Sequence, residues 1–339
     1  MNSITDVPGV EVGHLSLICG EGKLVPGKGP VRTGVTVIKP HPGNLFLNKV
    51  PAAVHVINGV GKTIGLVQIA ELGVIETPIV LTNTLSAGLA ADGLIEYMLN
   101  QNPDIGVTTG SVNPVVGECN DSFLNDLRGR HVRQEHVLAA LAQTSSGPVE
   151  EGSVGAGVGM SAFGYKGGIG TSSRIVSGYT IGVLVLVNCG RKEELTIAGS
   201  PVGSLLSKRT ATMDNYGSIM IIVATDAPLS ARQLGRLAKR ATHGLARTGA
   251  NSSHGSGDIV IAFSTAEPIP HYSASSTLRL TRLHESGPDI SRLFCGVAEA
   301  TEEAIVNGLF TAQTVIGRDG NRRVGLPISE TLALITIKT

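Results

Sequence analysis

Tryptophan is absent from the 339-residue sequence, and aromatic residues make up only 3% of it. A core has to be assembled from Val, Ile, Leu and Ala instead. Excess charge is missing too: 27 Lys+Arg balance 27 Asp+Glu, for a formal net charge of zero. Neither nucleic acid nor an anionic membrane then has an electrostatic reason to bind. Low net charge also fits a chain that buries surface in a homo-oligomer. The four cysteines, Cys19, Cys119, Cys189 and Cys295, form no CxxC pair. They read as ordinary buried thiols in a reducing compartment, and they argue against a zinc site. No basic segment followed by an apolar one opens the sequence, and no apolar run reaches bilayer length. A cytoplasmic location is expected.

What is present is a chain 42% hydrophobic with 44 glycines, long enough for one large or two medium domains. Short β-branched runs predict buried strands at Gly34–Ile38, Ala53–Ile57, Ile79–Leu81, Tyr179–Val187, Ile219–Ala224 and Ile259–Phe263. Helices are expected over Ser86–Asn100, Gln134–Gln143, Ser230–Arg247 and Asp289–Leu309. The elements alternate irregularly, without repeats or flexible linkers. The expectation is one compact α/β domain over residues 1–339, with a processing loop in the polar stretch Ser207–Gly217.

The sharpest shift in composition is Gly152–Gly170, which superficially resembles a dinucleotide-binding turn. Such a turn works only between a strand and a helix, where the helix N-terminus meets the phosphate. The preceding Gly147-Pro-Val-Glu-Glu-Gly-Ser153 is loop, and further glycines follow. Close backbone packing beside a pocket is the better reading, and cofactor binding the poorer one.

Chemistry is suggested where Asn215-Tyr-Gly-Ser218 abuts an apolar strand. A Ser after Gly can attack the preceding carbonyl in an N-to-O acyl shift. Hydrolysis then frees an α-amino group that can act as base for its own hydroxyl. Gly-Ser before a strand is also an ordinary turn, and the chain holds several others. Asn251-Ser-Ser-His-Gly-Ser256-Gly-Asp258 is a polar turn whose Ser256 and Asp258 could order such a centre, or simply form the turn. Asn188 ends an apolar run, where its amide could face an oxyanion or serve a turn. Glu118 follows another apolar stretch and could pair with a substrate ammonium or be solvated.

The motifs Ile4-Thr-Asp-Val-Pro-Gly-Val10, Pro114-Val-Val-Gly-Glu-Cys-Asn-Asp121, Gly152–Gly170, Gly217-Ser-Ile219 and His254-Gly-Ser-Gly-Asp258 lie from end to end of the chain. Together they resemble the L-aminopeptidase/D-esterase and β-peptidyl aminopeptidase family, self-processing serine aminopeptidases of the peptidase family S58 type. The resemblance implies an αββα sandwich like that of N-terminal-nucleophile hydrolases, and homotetramers of a two-chain unit. It implies self-cleavage between Gly217 and Ser218, giving an α chain 1–217 and a β chain 218–339. It implies Ser218 as nucleophile, Asn188 as oxyanion donor, Ser256 and Asp258 as assistants, and Glu118 as anchor for the substrate amine. Some members carry Glu where this chain has Asp258, and a Tyr where it has Asn120 at the substrate site.

The expected function is hydrolysis of N-terminal residues from short peptides, amides or esters, with no metal or organic cofactor. One rival is a self-cleaving acyltransferase of the ornithine acetyltransferase kind, which typically cuts at Thr. A second is a nucleotide-binding oxidoreductase using the Gly-rich loop, and a third is an uncut binding protein.

Overall fold

In the computed structural model, which describes residues 1–206 and 217–335, two sheets pack face to face between two layers of helices. The expected processing loop therefore lies, apart from Gly217, outside the described residues. One sheet has the order β1 (Glu11–Cys19), β2 (Val31–Lys39), β4 (Ile79–Asn83), β5 (Val115–Cys119). The other runs β3 (Asn48–Gly59), β9 (Gly257–Ser264), β8 (Ser218–Thr225), β7 (Tyr179–Asn188), β6 (Gly168–Val176), with short edge segments at Val74–Ile75 and Ile269–Pro270. Helices α1 (Ala87–Gln101) and α2 (Gln134–Ala142) cover the first sheet, while α3 (Ala231–Arg247) and α4 (Pro288–Thr311) cover the second.

Side-chain alternation explains the layering. Along β8, Ile219, Ile221 and Val223 enter the core shared with Leu234, Leu237 and Val297 of the helices. Met220, Ile222 and Ala224 enter the core between the sheets, against Leu81, Val115 and Cys119. A strand buried on both faces must read as an unbroken apolar run, as β8 does. A further core joins Val35, Val37, Val80 and Val116 to Ala90, Leu94 and Val137. These three layers of packing are the expected αββα sandwich.

Strands β8 and β9 pair in parallel because α3 carries the chain back across the sheet. That helix starts where Ser230 accepts from the Gln233 N–H while Gln233 accepts from the Ser230 N–H, a reciprocal cap. The predicted strands are all present but longer. Three further strands, β1, β5 and β6, are not legible as apolar runs. In β6 the reason is a close approach: a Cβ on Gly170 would sit 1.9 Å from the Ala304 carbonyl oxygen of α4.

Candidate active site

Ser218 opens β8, and its direct partner across the antiparallel β7–β8 pair is Asn188, the last residue of β7. Directly opposed residues present their side chains on one face, with Cβ atoms about 5 Å apart. That face is the inter-sheet one, since Leu186 and Met220 two residues along belong to the inter-sheet core. On its other side Ser218 pairs in parallel with Gly257, whose N–H donates to Ser218 Oγ at 3.2 Å. Ser218 is buried, and in the uncut chain its nitrogen is an amide that cannot take a proton.

Gly217 packs directly against β7. A Cβ there would lie 2.8 Å from the Cys189 Cα and 3.0 Å from the Asn188 carbonyl oxygen. It does not occupy the left-handed region, so the requirement for glycine is room rather than an unusual φ.

The Asn188 amide is fixed at both ends. Its Oδ1 accepts from the Ser161 N–H at 2.8 Å, and its Nδ2 donates to the Asn120 carbonyl at 3.1 Å. A donor at one end and an acceptor at the other leave a single amide orientation. Among the described residues the second Nδ2 hydrogen has no partner.

Ser256 and Asp258 form one unit: Ser256 Oγ donates to Asp258 Oδ1 at 2.5 Å. Asp258 also accepts from Ser252 and from the backbone of Ile219, the residue after Ser218. Burial raises the Asp258 pKa above the ordinary carboxyl value, and these hydrogen bonds offset part of that rise. Asn58 Nδ2 donates to the Ser253, His254 and Ser256 carbonyls, so β3 braces the turn. Asp258 lies within β9, not in the turn before it as the sequence suggested.

Glu118 likewise sits on a wholly buried strand, β5, and not in a solvated loop. Its carboxylate accepts from the Lys62 N–H at 2.8 Å and from the Thr84 hydroxyl. A Cβ on Gly61 would be 3.6 Å from Glu118 Oε1 and 3.7 Å from the Gly257 Cα. Glu118 is thereby close to the residue that contacts the Ser218 hydroxyl. Asn120 differs: its side chain is exposed and accepts from the Ser122 N–H, and it meets Asn188 through its main-chain carbonyl.

A cavity of about 250 Å³ adjoins this centre, lined by Gly217, Ser256 and Asp258 together with Cys189, Arg191 and Asn251. Glu118, Asn120, Asn188 and Ser218 lie outside its lining in the uncut chain. The Gly-rich segment opens no α-helix; Gly155–Gly159 is a buried 3-10 turn packed against β1 and β2. It therefore lacks the helix N-terminus that a phosphate would need. The braces at Ser161, Lys62, Thr84 and Asn58 were not predicted, and three of them act through or upon main-chain groups that leave no mark in a sequence.

The model of peptidase family S58 matches residues 2–323. The chain belongs to peptidase family S58. A β-peptidyl aminopeptidase BapA of Sphingosinicella microcystinivorans is 42% identical, over 98% of this chain and 87% of the relative. Among solved structures, the PH0078 protein of Pyrococcus horikoshii OT3 aligns with a TM-score of 0.93 at 57% identity, over 98% of this chain and 93% of that one. The L-aminopeptidase D-Ala-esterase/amidase of Ochrobactrum anthropi, described as a prototype of the serine aminopeptidases and a variant of the Ntn-hydrolase fold, aligns at 0.90 and 37% identity with the same coverage. The fold of this S58 member is that of the Ntn-hydrolase aminopeptidases, and its activity class is serine aminopeptidase. The acyltransferase and oxidoreductase alternatives find no support. Among the described residues, no helix is long and apolar enough to cross a membrane.

Proposed function

We propose that this aminopeptidase matures by cutting itself between Gly217 and Ser218, and then uses Ser218 to release N-terminal residues from short peptides, amides and esters. The observation that carries the reading is the cross-strand pairing of Ser218 with Asn188, whose amide is held at both ends with one hydrogen unpartnered among the described residues. In maturation, Ser218 Oγ attacks the Gly217 carbonyl and the C–N bond gives way to an ester. Water then hydrolyses the ester, leaving the Gly217 carboxylate on chain 1–217 and the Ser218 amine on chain 218–339.

In turnover the new amine takes the hydroxyl proton as Oγ attacks the substrate carbonyl. Asn188 donates to the oxyanion. The protonated amine then gives its proton to the leaving nitrogen or oxygen, and water repeats the sequence on the acyl-enzyme. The Ser256–Asp258 unit holds the amine and its charge in place beside the Ile219 peptide. Glu118, with Asn120 at the same end of β5, binds the substrate ammonium; after its two present donors the carboxylate still has lone pairs to offer. The working unit is a homo-oligomer of the two-chain form in the cytoplasm, a location supported by four cysteines that are all free; Cys119 and Cys189 are buried as expected, whereas Cys19 and Cys295 are exposed.

Active-site acylation tests the assignment. An amino-acid p-nitrophenyl ester, quenched during turnover, should label a peptide beginning at Ser218. Label on any other serine would remove Ser218 from the nucleophile's role.

A further inference from the structure

Lys166 is the one lysine among the largest fully buried side chains, and it lies inside the Gly-rich segment. Its Nζ donates to the Gly157 and Gly167 carbonyls, each at 2.7 Å. These carbonyls bracket the hairpin of Ser161–Ala162 and Tyr165–Lys166, and the Gly167 N–H closes it by donating to the Met160 carbonyl at 3.1 Å. The hairpin docks on the end of β7 through two bonds: Ser161 N–H to Asn188 Oδ1, and Phe163 N–H to the Cys189 carbonyl at 2.9 Å. The other contact of the Asn188 amide comes from Asn120. The residue after Asn120 is Asp121, also fully buried, and its charge acts on Lys166. Asp121 Oδ1 accepts from Asn125 at 3.0 Å, while Oδ2 has no hydrogen-bond partner among the described residues. Each loop that grips Asn188 thus carries one fully buried titratable residue, Lys166 in one and Asp121 in the other.

The geometry points to Lys166 and Asp121 as positioning residues for the reaction: the ammonium clamps the Gly-rich hairpin, and with it the Asn188 amide, in the orientation that serves the oxyanion. The inference rests on the role given to Asn188 above. Buried carbonyls need a donor, and the Lys166 nitrogen serves two of them. Burial pulls the Lys166 pKa down to about 7 and pushes that of Asp121 up to about 7. Keeping two such groups out of water costs several kcal/mol each, which packing alone would not require. Oxyanion donors have to be held within about 0.5 Å, and a shift of about 1 Å can cost a hundredfold in rate.

A kinetic cycle tests this on the matured enzyme, with an amino-acid p-nitroanilide as substrate. Lys166→Met should lower kcat by about tenfold or more and leave KM within about twofold. In an Asn188→Ala background the same substitution should add almost nothing, because the donor it positions is gone. Multiplicative losses, or a loss confined to KM, would overturn the clamp. If Asn188→Ala alone leaves kcat unchanged, the oxyanion reading fails instead, and the two failures are told apart. Should Lys166→Met not fold, isosteric Asp121→Asn carries the cycle with the same expectation. Should a variant fold but not mature, the rate of loss of the intact 35.0 kDa chain replaces kcat.

Discussion

Two substitutions at Asn188 separate a donor role from a packing role. Asn188→Ala removes the Nδ2 hydrogens together with the acceptor of the Ser161 N–H and the donor to the Asn120 carbonyl. Loss of one oxyanion donor costs about 10²–10³-fold in kcat, or about 2.7–4 kcal/mol. The two orphaned main-chain groups should cost a further ~1–2 kcal/mol of stability, since both lie at a loop edge within reach of water. Asn188→Asp keeps the shape and keeps an oxygen for the Ser161 N–H. It sets the other oxygen against the Asn120 carbonyl and against the developing oxyanion. Two like charges 4 Å apart repel by about 4 kcal/mol at an effective dielectric constant of 20. The Asp variant should therefore be slower than the Ala variant at pH 8, although it removes less of the side chain. Stopped assays over a range of p-nitroanilide concentrations, with thermal melts alongside, give kcat, KM and stability for each variant. An Asp variant as fast as Ala, or effects confined to KM, would refute the reasoning.

Other consequences follow from the same geometry. Gly217→Val should slow self-cleavage by at least tenfold, because even a Cβ would collide with the Cys189 backbone at 2.8 Å; accumulation of uncut chain on denaturing gels measures it. Glu118→Gln should chiefly raise KM for substrates with a free amine, and N-acetylated p-nitroanilides should be very poor substrates of the unaltered enzyme. Equal kcat/KM for acetylated and free substrates would take Glu118 out of the site. His14 is held to a pKa of about 4 by burial, and its Nε2 has no partner among the described residues. The unfolded chain then binds a proton between pH 6.5 and 4 that the folded chain refuses. Stability should be full above pH 6.5 and fall by up to about 3 kcal/mol as pH drops to 4. Urea titrations should show this slope flattened in His14→Gln.

Much of this was legible in the sequence, for physical reasons. Ile219–Ala224 and Ile259–Phe263 are central strands buried on both faces, so their runs are unbroken. The reciprocal cap at Ser230 and Gln233 marks a helix start. By contrast β1 carries Gly13, His14 and Ser16 along an edge, β5 holds Gly117 and Glu118, and β6 opens on Gly168, which makes way for Gly152, and Gly170, which makes way for α4. None of these looks like a strand, because each is shaped by a neighbour distant in sequence. In the site, Asn188 and Ser218 each stood out as ends of apolar runs, but nothing local shows that they oppose each other across two strands. Lys166 left no signal, since a lysine among glycines reads as solvated.

The intact mass of the purified protein bears most directly on the central claim. Two masses are expected, for residues 1–217 and 218–339, with Edman sequencing of the smaller chain beginning Ser-Ile-Met-Ile-Ile, and a single inactive 35.0 kDa species for Ser218→Ala. An active enzyme that keeps one 35.0 kDa chain, or a fragment starting at any other residue, would contradict it.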